Sequence, residues 1–132
     1  MKKEILTRLF YSFLFSLGLS ILIFLFAFGI HEGFEANQAR ALLALVVIFI
    51  LLTCLVLSAT AFLNLLPKVR ANLVLSLASF IALPLALLCY ILVQNGPDSD
   101  TSLLLIINSP CLLYIIALIY HFFAFRKTID KA

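Results

Sequence analysis

Charge is scarce in this 132-residue sequence, in which only 11% of residues are Asp, Glu, Lys or Arg and 65% are hydrophobic. An ordinary soluble domain carries about 25% charged residues, so this chain has too few to cover a surface that faces water. The scarcity excludes a typical soluble fold. We therefore expect the lipid bilayer to be the main partner of the protein.

Charged residues are absent from four long stretches, at about 9–30, 41–66, 71–93 and 103–125. Each has the roughly 20 apolar residues that a membrane-spanning helix needs. In hydrocarbon the backbone must satisfy its hydrogen bonds within the segment, and the connections are short enough to make consecutive helices antiparallel. The sequence predicts an all-α fold, in which residues 1–132 form one integral membrane bundle of four antiparallel transmembrane helices.

The first apolar stretch follows a basic start, as in a secretory signal peptide. It exceeds the roughly 7–15 apolar residues of such a signal and has no clear small-x-small cleavage site. A retained helix is therefore predicted, with cleavage as the alternative.

Basic residues are divided unequally between the two ends of the predicted helices. Eight lie near the termini or in the second connection, and one, Arg40, lies in the other two connections. Because Lys and Arg favour the cytoplasmic side, Lys68, Arg70 and both termini are predicted to be cytoplasmic. This topology accounts for the net charge of +3, which therefore does not indicate nucleic-acid binding. The short loops and the start "MKKE" favour a bacterial inner membrane.

The first helix carries serines on one face. Ser12, Ser16 and Ser20 recur every four residues, whereas most of the remaining residues are Phe, Leu and Ile. Membrane helices contact one another through small and hydrogen-bonding residues. We therefore expect this face to pack on another helix.

The second and third helices carry mirrored polar residues on either side of the sequence "PKVR". With Lys68 as the centre of this hairpin, Asn64 is expected to face Asn72, and Thr60 to face Ser76. Each such bond contributes about 0.6–2 kcal/mol, so the polar residues set the register of the helices more than their total stability. The alternative is that they line a path for a solute. The predicted seam consists of Thr53, Thr60, Asn64, Asn72, Ser76 and Ser79.

Pro84 and Pro110 interrupt the third and fourth helices, and Asn108 and Ser109 precede the second proline. A proline removes a backbone donor and leaves the carbonyl four residues earlier without its partner. Broken helices with polar neighbours form substrate sites in some transporters. Other proline kinks are purely structural and are repaired by hydroxyl side chains. These four residues are the candidate pocket, with a simple kink as the alternative.

The sequence shows no arrangement of side chains typical of catalysis or of metal binding. Cys54, Cys89 and Cys111 all lie within the helices and form no CxxC pair. His31 and His121 lie near opposite ends, which excludes a haem bound between them. No Asp, Glu, Lys or Arg lies at depth, where a proton-coupled transporter usually places an ionisable group. We expect no enzyme activity, no cofactor and no metal ion.

The stretch "LPKVRANLVLSLASFIALPLALLCYIL", residues 66–92, carries a pattern of basic, small polar and proline positions: Arg70, Asn72, Ser76, Ser79 and Pro84. With these residues it resembles the third-helix region of small four-span bacterial membrane proteins, some of them immunity proteins against toxins that act on the inner membrane. The resemblance implies a non-enzymatic protein that packs on a membrane partner, such as an inserting toxin. The alternatives are a small oligomeric channel or transporter, another homo-oligomer, or an assembly subunit of a membrane complex.

Overall fold

The computed structural model describes the backbone of residues 1–28, 34–96 and 101–131. Parts of the two predicted outer connections, at 31–33 with His31 and at 97–100, lie outside these residues. The helices are α1 (Lys2–Phe28), α2 (Phe34–Leu57), α3 (Pro67–Ala71), α4 (Leu73–Gln94) and α5 (Thr101–Asp130), and α2 continues as a 3₁₀ helix over Ser58–Leu65.

Four segments are long and apolar enough to cross a membrane, namely Lys2–Phe26, Asn37–Leu65, Leu73–Gln94 and Leu104–Asp130. They pack antiparallel, which confirms the predicted all-α, four-span fold. The helices at the two ends of the chain are longer than the apolar windows. α1 begins at Lys2 and α5 continues to Asp130, because a helix does not have to stop where the hydrocarbon does.

The last helix, α5, lies at the centre of the bundle. It contacts α1, α2 and α4, and it has the largest buried share of the four spans. Its aromatic side chains fill the core: the ring of Phe80 lies 5.5 Å from that of Phe122 and 5.8 Å from that of Phe125, centre to centre. All three side chains are fully buried.

Both described ends of the chain and the second connection meet at one end of the bundle, which we call the basic end. Arg126 Nη1 donates to the carbonyl oxygen of Arg70 at 2.6 Å, and Arg70 Nη1 lies 3.2 Å from the sulfur of Met1. Arg8 donates to Thr128 Oγ1 at 3.1 Å. The basic residues that the sequence predicts on one side of the membrane therefore lie together. Their placement in the cytoplasm stays a prediction.

The second span changes helix type at Ser58. A 3₁₀ helix has three residues per turn, so side chains three residues apart lie in one line. Ser58, Ala61 and Asn64 are buried and form such a line. The segment ends at Leu66, whose backbone is extended, and Pro67 then opens α3, where its missing N–H costs no helical hydrogen bond.

Candidate functional site

Asn64 is the centre of the polar contact between the second and third spans. Its side chain is fully buried, and its Oδ1 accepts a hydrogen bond from Ser76 Oγ. Its Nδ2 donates to Ser79 Oγ and to the carbonyl oxygen of Ala61, the latter at 3.1 Å. A primary amide offers two donor hydrogens and one acceptor oxygen. Both sides of the Asn64 amide therefore have partners, and two of those partners belong to α4.

Thr60 adds a second connection one turn earlier. Its Oγ1 lies 2.7 Å from the carbonyl oxygen of Ser79 and 3.1 Å from that of Leu57. A hydroxyl has one hydrogen to donate, and the shorter distance favours the bond to Ser79. That bond joins the 3₁₀ segment to the backbone of α4. We call Thr60, Asn64, Ser76 and Ser79 the polar seam.

Asn72 does not belong to the polar seam, which corrects the predicted pairing with Asn64. Its side chain is exposed and caps α4, accepting from the backbone N–H groups of Val74 at 3.0 Å and Leu75 at 3.3 Å. The prediction placed the centre of the hairpin at Lys68, which assumed a tight turn between the second and third spans. Residues 67–71 instead form the short helix α3. The longer connection moves the partner of Asn64 about one helical turn along α4, to Ser76.

Thr53 also lies outside the polar seam, because its Oγ1 donates to the carbonyl oxygen of Phe49 in its own helix at 2.8 Å. Ser58 takes the buried place instead and donates to the carbonyl oxygen of Cys54 at 2.7 Å. The prediction extended α-helical spacing through the whole second span. The sequence does contain a pattern that indicates a buried Ser58. Small or polar residues stand at positions 58, 61 and 64, a spacing that fits a helix with three residues per turn.

The three serines of α1 all point into the bundle. Ser12 donates to the carbonyl oxygen of Arg8 at 2.9 Å, and Ser16 to that of Ser12 at 2.7 Å. Ser20 Oγ is buried without a hydrogen-bond partner among the residues that the structure describes. Since α1 packs on α5 and α2, these small side chains lie on its contact face and add few hydrogen bonds between helices.

The candidate pocket is divided by the structure into a core part and a groove. Pro84 and Pro110 are fully buried. Asn108 and Ser109 instead line a groove of about 320 Å³ between α4 and α5, whose other lining residues are leucines. Ser109 Oγ lies 3.5 Å from the carbonyl oxygen of Ile106, the acceptor that Pro110 leaves without its N–H partner. This contact is the side-chain repair expected of a structural kink.

Asn108 is left with an unused acceptor in that groove. Its Nδ2 donates to the carbonyl oxygen of Leu104 at 2.8 Å. Its Oδ1 is buried and has no partner in the described part of the chain.

Two thiols meet where α2 and α5 pack on each other. Cys54 Sγ and Cys111 Sγ are buried and lie 3.5 Å apart, and Cys111 Sγ lies 3.4 Å from the carbonyl oxygen of Pro84. Cys89 is exposed on the surface of α4. Across residues 1–28, 34–96 and 101–131, no group of three or more His, Cys, Asp or Glu side chains lies close enough to hold a metal ion.

The outer surface of α4 carries a row of alanines that sequence reasoning missed. Ala78, Ala82 and Ala86 recur every four residues, and Ala82 and Ala86 are exposed while Ala78 is half-buried. We call these three residues the alanine face, and the exposed Cys89 continues it by one turn. Repeated small residues at this spacing allow two membrane helices to approach closely.

Comparisons with family models, with curated proteins and with solved structures find no match to this chain. The resemblance of residues 66–92 to immunity-type proteins therefore stays a prediction.

Proposed function

We propose that this small polytopic membrane protein acts without catalysis, by packing the alanine face of α4 against another membrane protein. The observation that carries the proposal is the exposure of Ala82 and Ala86 at the surface of α4. Small residues on a lipid-facing surface offer a partner helix a close approach.

The use of polar groups inside the bundle supports the same surface. Asn64, Ser76 and Ser79 are buried and bonded to one another, so they are not free to bind a second protein. Outward, α4 presents the alanine face between larger exposed side chains such as Leu83 and Leu85. Packing in lipid depends on van der Waals contact and close backbone approach, and both are available there.

The partner that we propose is a toxin that inserts into the inner membrane, with this protein as its immunity partner. The alanine face lies within residues 66–92, the stretch that resembles the immunity-type proteins. Occupying one face of an inserting helix would prevent the toxin from assembling with itself.

Cys89 provides a native handle for the test, because its exposed thiol continues the alanine face. We expect a membrane-permeable crosslinker, with a maleimide for Cys89 and a photoreactive diazirine for any nearby bond of the partner, to join the two proteins in native membranes. Ala82→Leu should remove the crosslinked product, since a larger side chain holds the partner away. The matched control is Ala59→Leu, which adds the same bulk at an exposed alanine of the 3₁₀ segment.

The outcomes separate the proposals. A product between Cys89 and a toxin, lost in Ala82→Leu and kept in Ala59→Leu, supports the immunity role, as does increased toxin sensitivity after deletion of the gene. A product of twice the mass of this chain indicates a homo-oligomer. Obligate co-purification with a larger assembly indicates a subunit. No crosslink together with unchanged toxin sensitivity would end the proposal.

A second candidate, a small oligomeric channel or transporter, is favoured by the unused Asn108 Oδ1 in the groove between α4 and α5. Proteoliposomes should then show flux of an ion or solute that Asn108→Leu abolishes. Flux equal to that of empty liposomes would count against this candidate.

A further inference from the structure

A groove between α1 and α5 at the basic end combines charge with an aromatic wall. Its outer part, of about 630 Å³, is lined among others by Lys3, Arg8 and His121. A second part of about 550 Å³ continues from it and is lined by Phe15, Ile116 and other apolar residues. Both volumes are within the range of about 300–1,000 Å³ that is usual for ligand sites. Tyr11, Tyr120 and His121 line both parts, so the two form one continuous groove.

Two nitrogens in this groove are buried without being used. Neither Arg8 Nε nor His121 Nδ1 has a hydrogen-bond partner among the residues that the structure describes. The other guanidinium contacts of Arg8 are made by Nη2, at 3.4 Å to Glu4 Oε1 and 3.1 Å to Thr128 Oγ1. Buried donors are normally paired. Arg8 Nε–H is a donor, and His121 Nδ1 is a donor in the tautomer that carries its hydrogen there, so an acceptor supplied from outside the protein would complete both nitrogens.

The charge of the lining favours an anion as that acceptor. Lys3 and Arg8 are basic and Glu4 is acidic, so the lining carries two positive charges and one negative, a net charge of +1. Glu4 is already occupied by its ion pair with Arg8. The Arg8 side chain is only 20% exposed, so water screens its charge less than that of a free surface arginine.

The apolar part of the groove favours a molecule with a hydrocarbon chain. Its walls include exposed side chains on the membrane-facing surface, namely Tyr11, Phe15, Ile116 and Tyr120. The ring of His121 stacks on that of Tyr11, with centroids 6.5 Å apart, which places the imidazole at the boundary between the polar and apolar parts. A soluble anion would fill the first part only, whereas a lipid with an anionic headgroup matches both.

We propose that this groove binds one anionic phospholipid of the surrounding bilayer. The phosphate accepts hydrogen bonds from Arg8 Nε and from His121 Nδ1–H, Lys3 adds a nearby positive charge, and an acyl chain lies along Phe15 and Ile116. Basic pockets between transmembrane helices bind anionic headgroups on the same physical principle. The lipid would bridge α1 and α5 where Arg8 and Thr128 already join them.

Native mass spectrometry of the full-length protein, released from detergent micelles with added lipid, tests the proposal. We expect one molecule of phosphatidylglycerol to be retained per chain. Retention of phosphatidylcholine with the same acyl chains should be lower by a factor of about five or more. Arg8→Gln should reduce phosphatidylglycerol retention to the phosphatidylcholine level. Lys68→Gln, which removes an exposed charge outside the groove, should leave retention unchanged.

A gentler variant guards against loss of the fold. His121→Phe keeps an aromatic ring against Tyr11 and removes both nitrogens, so phosphatidylglycerol retention should fall severalfold while phosphatidylcholine retention stays the same. Equal retention of the two lipids by the natural protein would overturn the proposal. So would complete displacement of phosphatidylglycerol by inorganic phosphate, because the site would then recognise a soluble anion. An equal effect of Lys68→Gln and Arg8→Gln would also overturn it, since binding would then reflect overall charge.

Discussion

The polar seam and the basic-end groove both place polar side chains between two helices, but they differ in how far those side chains are paired. In the polar seam, the Asn64 amide is bonded on its oxygen and its nitrogen to groups within the bundle. In the groove, Arg8 Nε and His121 Nδ1 are buried and have no partner in the described residues. One interface is closed by its own hydrogen bonds, and the other keeps donors available.

This difference separates a structural role from a binding role. A buried polar group costs free energy unless it is hydrogen-bonded. The polar seam meets that cost internally and thereby fixes the register of the hairpin. In the groove, by contrast, the free-energy cost of burying the two nitrogens is offset only when a lipid from the bilayer supplies an acceptor. Without a bound lipid, variants that remove polar groups from the polar seam should therefore lose stability, whereas variants that remove them from the groove should lose little.

Removing the seam amide should give the largest loss of stability. Asn64→Leu deletes the bonds to Ser76 and Ser79, and at about 0.6–2 kcal/mol for each bond we expect about 2 kcal/mol of destabilisation. Unfolding by SDS in mixed micelles, followed by circular dichroism, measures it. Thr53→Val is the control, because within the described residues the Thr53 hydroxyl bonds only to the carbonyl oxygen of Phe49 in its own helix. Equal losses in the two variants would mean that the seam has no special role.

Asn72→Ala should have the next largest effect on the free energy of unfolding, about 1 kcal/mol, because it removes the side-chain cap of α4. The same unfolding assay measures it.

The coupling energy between pairs of variants tests the register of the two helices, and double-mutant cycles in the same assay measure it. Asn64→Ala and Ser76→Ala should couple by about 1 kcal/mol, whereas Asn64→Ala and Asn72→Ala should add within about 0.5 kcal/mol. Strong coupling between the two asparagines would restore the register that the sequence predicts.

The smallest effect is expected in the groove. In a zwitterionic detergent, His121→Phe should change the free energy of unfolding by no more than about 0.5 kcal/mol, since Nδ1 has no hydrogen bond to lose among the residues that the structure describes. Adding phosphatidylglycerol should then stabilise the natural protein more than the variant, because a ligand of the folded state raises apparent stability. A large loss without anionic lipid would show that the imidazole is needed by the fold itself.

The fold class was predictable because lipid leaves a long apolar segment few choices. Backbone groups in hydrocarbon must be bonded within the segment, so four uncharged windows imply four helices. The positions at which those helices begin and end were less predictable. Helices such as α1 and α5 extend past the windows into charged residues, where hydropathy carries no information about the backbone.

The register of the polar seam was not predictable, because it depends on packing between elements. Nothing in "SATAFLNL", such as a proline or a glycine, marks the change from α to 3₁₀ geometry at Ser58. The sequence "PKVRA" reads equally well as a tight turn or as the short helix α3. Together these two features move the partner of Asn64 from Asn72 to Ser76. The alanine face was missed for a related reason, since the exposed side of α4 is defined only once its neighbours are in place.

The 3₁₀ segment also links the seam to the thickness of the membrane. Eight residues at about 2.0 Å each cover about 16 Å, against about 12 Å in an α-helix, so the second span gains about 4 Å of length. Rewinding this segment as an α-helix would shorten the span and turn Asn64 about 120° away from α4 relative to Ser58, because each of the six intervening steps would rotate about 20° less. The length of the second span and the contact between Asn64 and α4 therefore change together. A bilayer that is thicker or thinner than the span would act on both.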